Sequence, residues 1–309
     1  MPMKIIFMGT PNFAVPILKA IHETEHKILE VYTQPASKSG RGQKINHSDV
    51  YYCAKQLNLK VRFPENLEMS EEINHIRKLK PDLVVVVAYG KILPATLLNI
   101  DKLLFINVHA SLLPKWRGAA PIQRAIMDMD SETGVSIMKI IPRLDAGPVM
   151  LQEKIKISKE TSYEDLSKKM ALIGAKLILD TINLIKTNKA NFIDQKESDA
   201  SYAKKIDKKE SRINWNEDAS NIIAKINALN PTPGCWFDLS GSRIKILKAR
   251  EVNIIGQPGL ILHENFTIAC SKNAIQVLEL QKEGKKKITA QEFLKGNKLK
   301  VGLTLNQDV

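Results

Sequence analysis

Cysteine is scarce in this chain: three residues, Cys53, Cys235 and Cys270, lie far apart along 309 positions. They form no C-x-x-C pair and no zinc spacing, which excludes a disulfide framework and a structural zinc site and leaves reduced structural thiols. His22, His26, His47, His75 and His263 show no ligand spacing either, so no metal is expected. No apolar run approaches the roughly 20 residues of a membrane helix. Met1-Pro2-Met3-Lys4 runs straight into a strand-like Ile-Ile-Phe-Met, without signal-peptide architecture. The expectation is a cytoplasmic protein with no membrane contact. The first turn, Gly9-Thr10-Pro11, lacks G-x-G-x-x-G, which argues against a nicotinamide-dependent dehydrogenase. No internal repeat is present. Acids are in deficit: 46 Lys and Arg stand against 33 Asp and Glu, a net charge of +13. Such an excess points to an acidic partner, most often nucleic acid. Residues 205–309 hold 17 Lys and Arg against 11 Asp and Glu, nearly half of the excess on a third of the length.

What is there alternates. Lys4–Gly9 and Ile28–Thr33 read as strands, the β-branched Asp82–Ala88 as a strand buried on both faces, and Leu103–Val108 and Gly134–Ile140 look similar to it. Helical patterns fall between several of them: Phe13 with Ile17, Leu18 and Ile21, then Ser48–Leu57, Ser70–Leu79 and Ala119–Met127. This is the pattern of an α/β, Rossmann-like doubly wound sheet. Thr161–Asn188 reads as a long helix opened by the capping pattern Thr161-Ser162-Tyr163-Glu164, with an apolar stripe of Leu166, Met170, Ile173, Leu177 and Leu184. The texture changes near Ala190, where a charged stretch almost free of aliphatics suits a linker. Beyond it come a helix over 219–229 and short strands separated by turn signals, as in a small antiparallel barrel, OB-like in kind. The expected organisation is a catalytic domain over 1–189, a linker over 190–208 and a basic barrel over 209–309.

In open α/β sheets ligands bind beyond the carboxyl ends of the strands. The run Leu103–Val108 meets Asn107 and then His109 there, two residues apart and so on one side of an extended chain. An amide donor beside an imidazole suits a developing oxyanion, and an imidazole also moves protons near neutral pH. The alternative is a strand-end Asn and His that merely satisfy their neighbours. The following loop favours a ligand: Pro114 and Pro121 stiffen it, Gly118 permits close backbone approach, and Lys115 and Arg117 add positive charge around Trp116. Asp145, in a Gly-Pro loop between two expected strands, supplies a carboxylate that completes an acid/base set.

Asn107–Ile126 (NVHASLLPKWRGAAPIQRAI) with Leu144–Met150 (LDAGPVM) resembles the folate-dependent formyltransferases. So do Met8–Leu18, Thr33–Ile45 and Tyr202–Trp215, and the resemblance spans most of the chain. The segment Trp116–Arg124 is similar to the members of that family that act on a charged tRNA. The resemblance implies a formyltransferase domain and a C-terminal tRNA-binding domain, acting as a monomer. It implies transfer of a formyl group from 10-formyltetrahydrofolate, as co-substrate, to the α-amino group of methionine on initiator methionyl-tRNA. Asn107, His109 and Asp145 would be catalytic, and Ser111, Leu112, Leu113 and Pro114 would border the folate. Lys38, Arg41 and Lys44, in a loop that otherwise reads as a solvated surface loop, and Lys204, Lys205, Lys208 and Lys209 would contact the tRNA. Lys285, Lys286 and Lys287 read equally as a solvated hairpin tip, and Phe13 as core or as part of a methionine pocket. Where the family has Ile-Arg-Ala-x-Asn-Pro-Trp-Pro-Gly, this chain has Asn227 for the Arg and Thr232 for the Trp. The competing readings are a formyltransferase acting on a sugar-nucleotide amine and a non-catalytic RNA-binding protein.

Overall fold

The computed structural model describes residues 1–39, 44–297 and 299–305. The chain divides into two compact units: Met1–Pro121, Thr133–Ile155 and Ser167–Ala203 form the first, and Ile122–Glu132, Lys156–Leu166 and Lys204–Val309 the second. In chain order the first part runs β1 (Lys4–Gly9), α1 (Val15–His22), β2 (Lys27–Tyr32), β3 (Ser37–Ser39), β4 (Lys44–Asn46), α2 (Asp49–Gln56), β5 (Val61–Arg62), α3 (Ser70–Leu79), β6 (Leu83–Val87), α4 (Ala95–Leu98), β7 (Leu104–His109) and β8 (Arg117–Gly118). Then follow α5 (Pro121–Met127), β9 (Glu132–Lys139), β10 (Val149–Lys156), α6 (Tyr163–Lys186) and β11 (Tyr202–Ala203).

Seven strands make one sheet in the order β10-β9-β7-β6-β1-β2-β5. The chain builds outward from β1 to β2 and β5, returns to β6 on the other side of β1, and continues to β7. All four of those pairings are parallel. Valine-rich β6 is buried throughout, as a strand covered on both faces must be. The register Gly9↔Val87 and Val86↔Asn107 aligns the carboxyl ends of β1, β6 and β7. One feature differs from an all-parallel expectation: β9 runs antiparallel to β7. Helix α5 has seven residues and spans about 10 Å, too little to return the chain past six residues of strand, roughly 20 Å. So β9 starts at the edge where β7 ends.

Helix α6 also differs in detail from the expected stripe. Its cap is Ser162, whose hydroxyl accepts from Asp165 N at 3.1 Å and donates to the Asp165 carboxylate at 2.7 Å, one residue later than expected. Leu166, Met170, Leu177, Ile178 and Ile182 are buried, whereas Ile173 and Leu184 are only half-buried. Gly174 takes the contact position instead, because a side chain there would meet Val108 and Ile17.

The second unit holds α7 (Ala219–Leu229), β12 (Trp236–Leu239), β13 (Ser242–Val252), β14 (Ile261–His263), β15 (Thr267–Ala269), β16 (Ala274–Lys282), β17 (Ile288–Thr289) and α8 (Ala290–Gly296). Its strands form an antiparallel sheet in the order β12-β13-β16-β15-β14, with β17 on β16. Buried Trp215, Phe237, Phe266 and Phe293 contact one another in sequence, with ring centroids 5.6–6.3 Å apart. Asn227 donates from Nδ2 to the Lys159 carbonyl at 2.9 Å, a link within this unit. The sheet is antiparallel as expected, and none of the pairings among the described residues joins β14 to β12.

Gly174→Ala tests the packing of α6 on β7. Alanine in an exposed helix interior is favoured over glycine by about 1 kcal/mol. Here the new methyl would lie 2.9 Å from Val108 Cγ1, and overpacking costs about 1–3 kcal/mol. Urea unfolding should therefore show a net loss of stability; a gain would refute the close approach.

Candidate functional site

Asn107 and His109 are the fourth and last residues of β7. On the β9 side they pair with Met138 and Ser136. His109 is 5% exposed. Its Nε2 lies 3.0 Å from the Trp116 carbonyl, which can only accept, so Nε2 carries a proton and donates it there. The other nitrogen, Nδ1, faces Asp145 Oδ2 at 3.7 Å. Asn107 is half-buried, and its side-chain amide makes no hydrogen bond among the described residues. An amide donor and a titratable nitrogen therefore stand at one strand end, beside a carboxylate from a different loop.

Asp145 reaches that position through a specific turn. Its φ is 45°, in the left-handed region that Asp tolerates better than most residues. Its Oδ2 accepts from the Gly118 amide at 2.8 Å. Gly118 sits at φ 120°, and a Cβ there would approach the Ala203 carbonyl to 2.8 Å. Only glycine presents this N–H to Asp145. Gln195 closes the turn from the other side: its Nε2 donates to the carbonyls of Asp145 and Gly147 at 2.8 and 2.7 Å. Its Oε1 accepts from Arg117 Nε at 3.0 Å. Arg117 was expected to add charge around Trp116. It is instead 1% exposed, and its Nη1 donates to both carboxylate oxygens of Glu197 at 3.0 and 3.1 Å. A buried guanidinium needs such pairing.

The loop after β7 is held just as closely. Ser136 donates to the Ser111 carbonyl and accepts from Leu113 N at 3.0 Å. Gln152 donates to the Leu113 carbonyl at 2.9 Å and to Ser136 Oγ at 2.8 Å. Ser111 is buried with its hydroxyl on the Lys115 carbonyl, and Leu113 is buried too. Of the four residues expected to border a ligand, Leu112 and Pro114 are the two with partly open side chains. Trp116, at φ 62°, donates its N–H to Ser201 Oγ at 3.0 Å.

The loop after β6 is another element at the same edge. Ala88 and Gly90 have φ 44° and 80°, and the buried Tyr89 between them accepts at its carbonyl from Thr10 Oγ1 and Gln34 Nε2. This ties the carboxyl end of β6 to that of β1, where the strand order reverses.

Sequence reasoning missed Gln195, Glu197 and Ser201 because they sit in a charged stretch that reads as a linker. Residues 190–203 belong to the first unit, with β11 paired in parallel to β8. Ser136 did leave a signal, a lone hydroxyl inside an apolar run. Lys204, Lys205, Lys208 and Lys209 are all exposed. Lys38 and Lys44 lie on the β3–β4 hairpin, in which Ser39 pairs with Lys44; Arg41 lies outside the described residues. Phe13 is half-buried, neither full core nor open surface, and Lys285–Lys287 are exposed. Among the described residues no cluster of His, Cys, Asp and Glu is able to hold a metal ion.

Comparison with known proteins adds to this geometry. Residues 3–182 match the formyl transferase family, and residues 205–298 match the formyl transferase C-terminal domain. The chain is 46% identical to a methionyl-tRNA formyltransferase of Pelagibacter ubique over 97% of each chain. It is 44% identical to the enzyme of that name from Paracoccus denitrificans, over 95% of this chain and 97% of the relative. Its fold is similar to that of HypX from Aquifex aeolicus, solved with tetrahydrofolic acid, at a TM-score of 0.67 and 16% identity, covering 95% of this chain and 47% of HypX.

The Arg117–Glu197 pair predicts an acid-sensitive site. The Arg117 hydrogen bond, with the charges of Arg117 and Arg143, holds the Glu197 carboxyl below its ordinary value. A carboxyl lowered in the folded state stabilises above its unfolded pKa, about 4.3, and that contribution is lost as pH falls through the lower folded value. Glu197→Gln should therefore show a shallower loss of stability than the parent chain below about pH 4, by denaturant unfolding at stepped pH. Parallel curves would remove the pair from the account.

Proposed function

The chain belongs to the formyl transferase family, among its methionyl-tRNA formyltransferases, and from that premise we propose how its own side chains move a formyl group onto methionine carried by initiator tRNA. The formyl donor is a folate, 10-formyltetrahydrofolate, which supplies an electrophilic formyl carbon and a leaving nitrogen. Leu112 and Pro114, half-buried in the loop after β7, and the exposed Ile92 and Leu144, in the loops after β6 and β9, are apolar groups of the kind a flat ring requires. Ser111 and Leu113 hold the loop from within. The crevice beyond β1 and β6, where the strand order reverses, is where an open α/β sheet takes its ligand.

Asn107 donates from its amide to the formyl oxygen as negative charge develops there. His109, with Nε2 committed to Trp116, exchanges its proton at Nδ1, and the imidazolium adds positive charge beside that oxygen. Asp145 balances the imidazolium and takes the proton that the methionine amine releases as its nitrogen bonds to the formyl carbon. The bond from that carbon to the folate nitrogen breaks, and the leaving nitrogen takes up the proton that the Asp145–His109 pair received from the amine, which returns both side chains to their starting states. The observation that carries this reading is the convergence of Asp145 on His109 Nδ1 while the Asn107 amide makes no hydrogen bond among the described residues.

The tRNA reaches these groups past basic surface. Lys204, Lys205, Lys208 and Lys209 track phosphates, and Lys38, Arg41 and Lys44 approach the acceptor end. On this reading the chain is a monomer in the cytoplasm, where charged initiator tRNA is found; among the described residues no helix is long and apolar enough to cross a membrane. The readings as a sugar-amine formyltransferase or as a catalytically inert RNA binder are not favoured, since relatives 40–46% identical over nearly the whole chain are methionyl-tRNA formyltransferases.

A formylation assay with charged initiator tRNA and 10-formyltetrahydrofolate tests the assignment. Asp145→Asn should lower kcat by about 10²–10⁴, and Asn107→Ala by about 10²–10³. Full activity in either variant removes that residue from the chemistry, and equal turnover of free methionine removes the tRNA from the claim. Replacing the four linker lysines by alanine should flatten the dependence of log affinity on log salt by about 0.7–0.9 for each phosphate no longer neutralised. An unchanged slope in filter binding would place the phosphates elsewhere.

A further inference from the structure

A cluster of aromatic rings stands on the carboxyl edge of the first unit, apart from every group used above. His47 stacks on Tyr51 with centroids 3.8 Å apart and planes 13° apart. Tyr52 meets the pair edge-on, 6.2 Å from His47 and 5.6 Å from Tyr51. Phe63 lies 6.2 Å from His47 and 6.4 Å from Tyr51. These rings are not core: Tyr52 is 50% exposed and Phe63 47%, and Ile45, two residues before His47, is 68% exposed. Such exposed apolar area beside polar surface marks a contact site when it is contiguous.

The local chain explains the position. Tyr51 and Tyr52 occupy the first turn of α2, whose cap is Ser48: its Oγ accepts from Tyr51 N at 3.0 Å and lies 2.6 Å from Thr33 Oγ1, just past the end of β2. Val50 N donates to the Thr10 carbonyl just past the end of β1. Phe63 follows the carboxyl end of β5, which pairs in parallel with β2. The cluster thus shares an edge with Asn107 and His109 and directly follows the β3–β4 hairpin that carries Lys38 and Lys44. Lys55 Nζ is 5.8 Å from the Tyr51 centroid and Lys60 is exposed nearby in sequence; Asp49 and Glu65 are the exposed acids of the same stretch.

The substrate of this enzyme has one part that suits open rings. The aminoacylated end of a tRNA is unpaired, and its bases must pass this edge for the methionine to reach the strand tips. Unpaired bases stack on exposed aromatic faces in a sequence-tolerant way, each stacked base changing affinity from about fivefold to about a hundredfold. We propose that Tyr52 and Phe63, backed by the stacked His47–Tyr51 pair, form a stacking surface for an unpaired base of the tRNA acceptor end. The inference rests on the tRNA reading above. A one-sided platform at an open edge fits a base presented by a strand, whereas a folate ring is expected in the crevice at the strand ends.

The test uses the full chain carrying Tyr52→Leu and Phe63→Leu, which keeps apolar bulk and removes the flat faces. KM for charged initiator tRNA should rise on the order of tenfold, with the change confined to the tRNA and KM for 10-formyltetrahydrofolate held. Tyr52→Trp with Phe63→Trp should restore tRNA binding. In a second arm, uncharged initiator tRNA carries 2-aminopurine at each unpaired 3′ position in turn. The parent chain should quench one of these, and the leucine variant should not; the single Phe63→Leu chain serves if the double variant is unstable. Equal KM values with equal quenching overturn the proposal, as does a defect in KM for the folate instead. A parent chain that fails to formylate charged tRNA would defeat the function itself, whereas an active parent matched by its variants defeats only the stacking surface.

Discussion

The hydrogen bond from the Gly118 amide to the Asp145 carboxylate is the constraint on which the site depends. It joins a loop leaving β7 to a turn leaving β9, and it leaves the same Oδ2 3.7 Å from His109 Nδ1. The bond exists because Gly118 adopts φ 120° against the Ala203 carbonyl, where any Cβ would collide. It also requires Asp145 to stay at φ 45°, which costs about 1 kcal/mol or slightly more for a residue with a side chain. Gln195 offsets that cost by binding two carbonyls of the turn at once. A carboxylate proposed to take a proton is thus held at a defined place by groups assigned none of the chemistry, as preorganised electrostatic sites require.

Arg117 makes the arrangement cooperative. A fully buried guanidinium is costly unless its donors are met; here Nε and Nη1 are met by Gln195 and Glu197, about 80 residues away in the chain, while Nη2 has no partner among the described residues. If the 195–197 segment moves, Arg117 loses its partners and Asp145 loses its clamp together. The Ser136–Gln152 pair does the same for the Ser111–Pro114 loop: a single buried hydroxyl bonds two backbone groups and an amide. Rigidity at the strand ends therefore comes from buried polar groups that bond one another, while the Asn107 amide, proposed to meet a substrate oxygen, has no partner among the described residues.

Charge and chemistry fall on different residues. The groups proposed as catalytic sit at the end of β7 and in the turn between β9 and β10, where geometry decides. The exposed lysines of 204–209 are proposed to act through Coulomb attraction to phosphate, which tolerates imprecise placement and weakens with salt. The aromatic edge at 47–63 is the proposed third kind of contact, short-ranged and insensitive to salt. A substrate that is a long polyanion ending in one small reactive amine calls for all three.

Much of this was legible in the sequence. A β-branched Leu83–Val87 buried on both faces, the strand ending in Asn107 and His109, and Asp145 in a Gly-Pro turn follow from residue type and spacing, because strand period and burial are local properties. The motifs around them resembled the formyltransferases, and the comparisons bear that family out. Spacing alone did not reveal the antiparallel β9, which depends on how far a short helix carries the chain. Nor did it reveal that Arg117 is buried, that residues 195–201 are the clamp, or that Gly174 rather than Ile173 meets the strand. Those are pairings between positions distant in sequence, and a residue's own identity does not encode its partner. The order of elements and the chemistry of the strand tip were written along the chain; the aim of Asp145 was decided only when three remote segments packed into one unit.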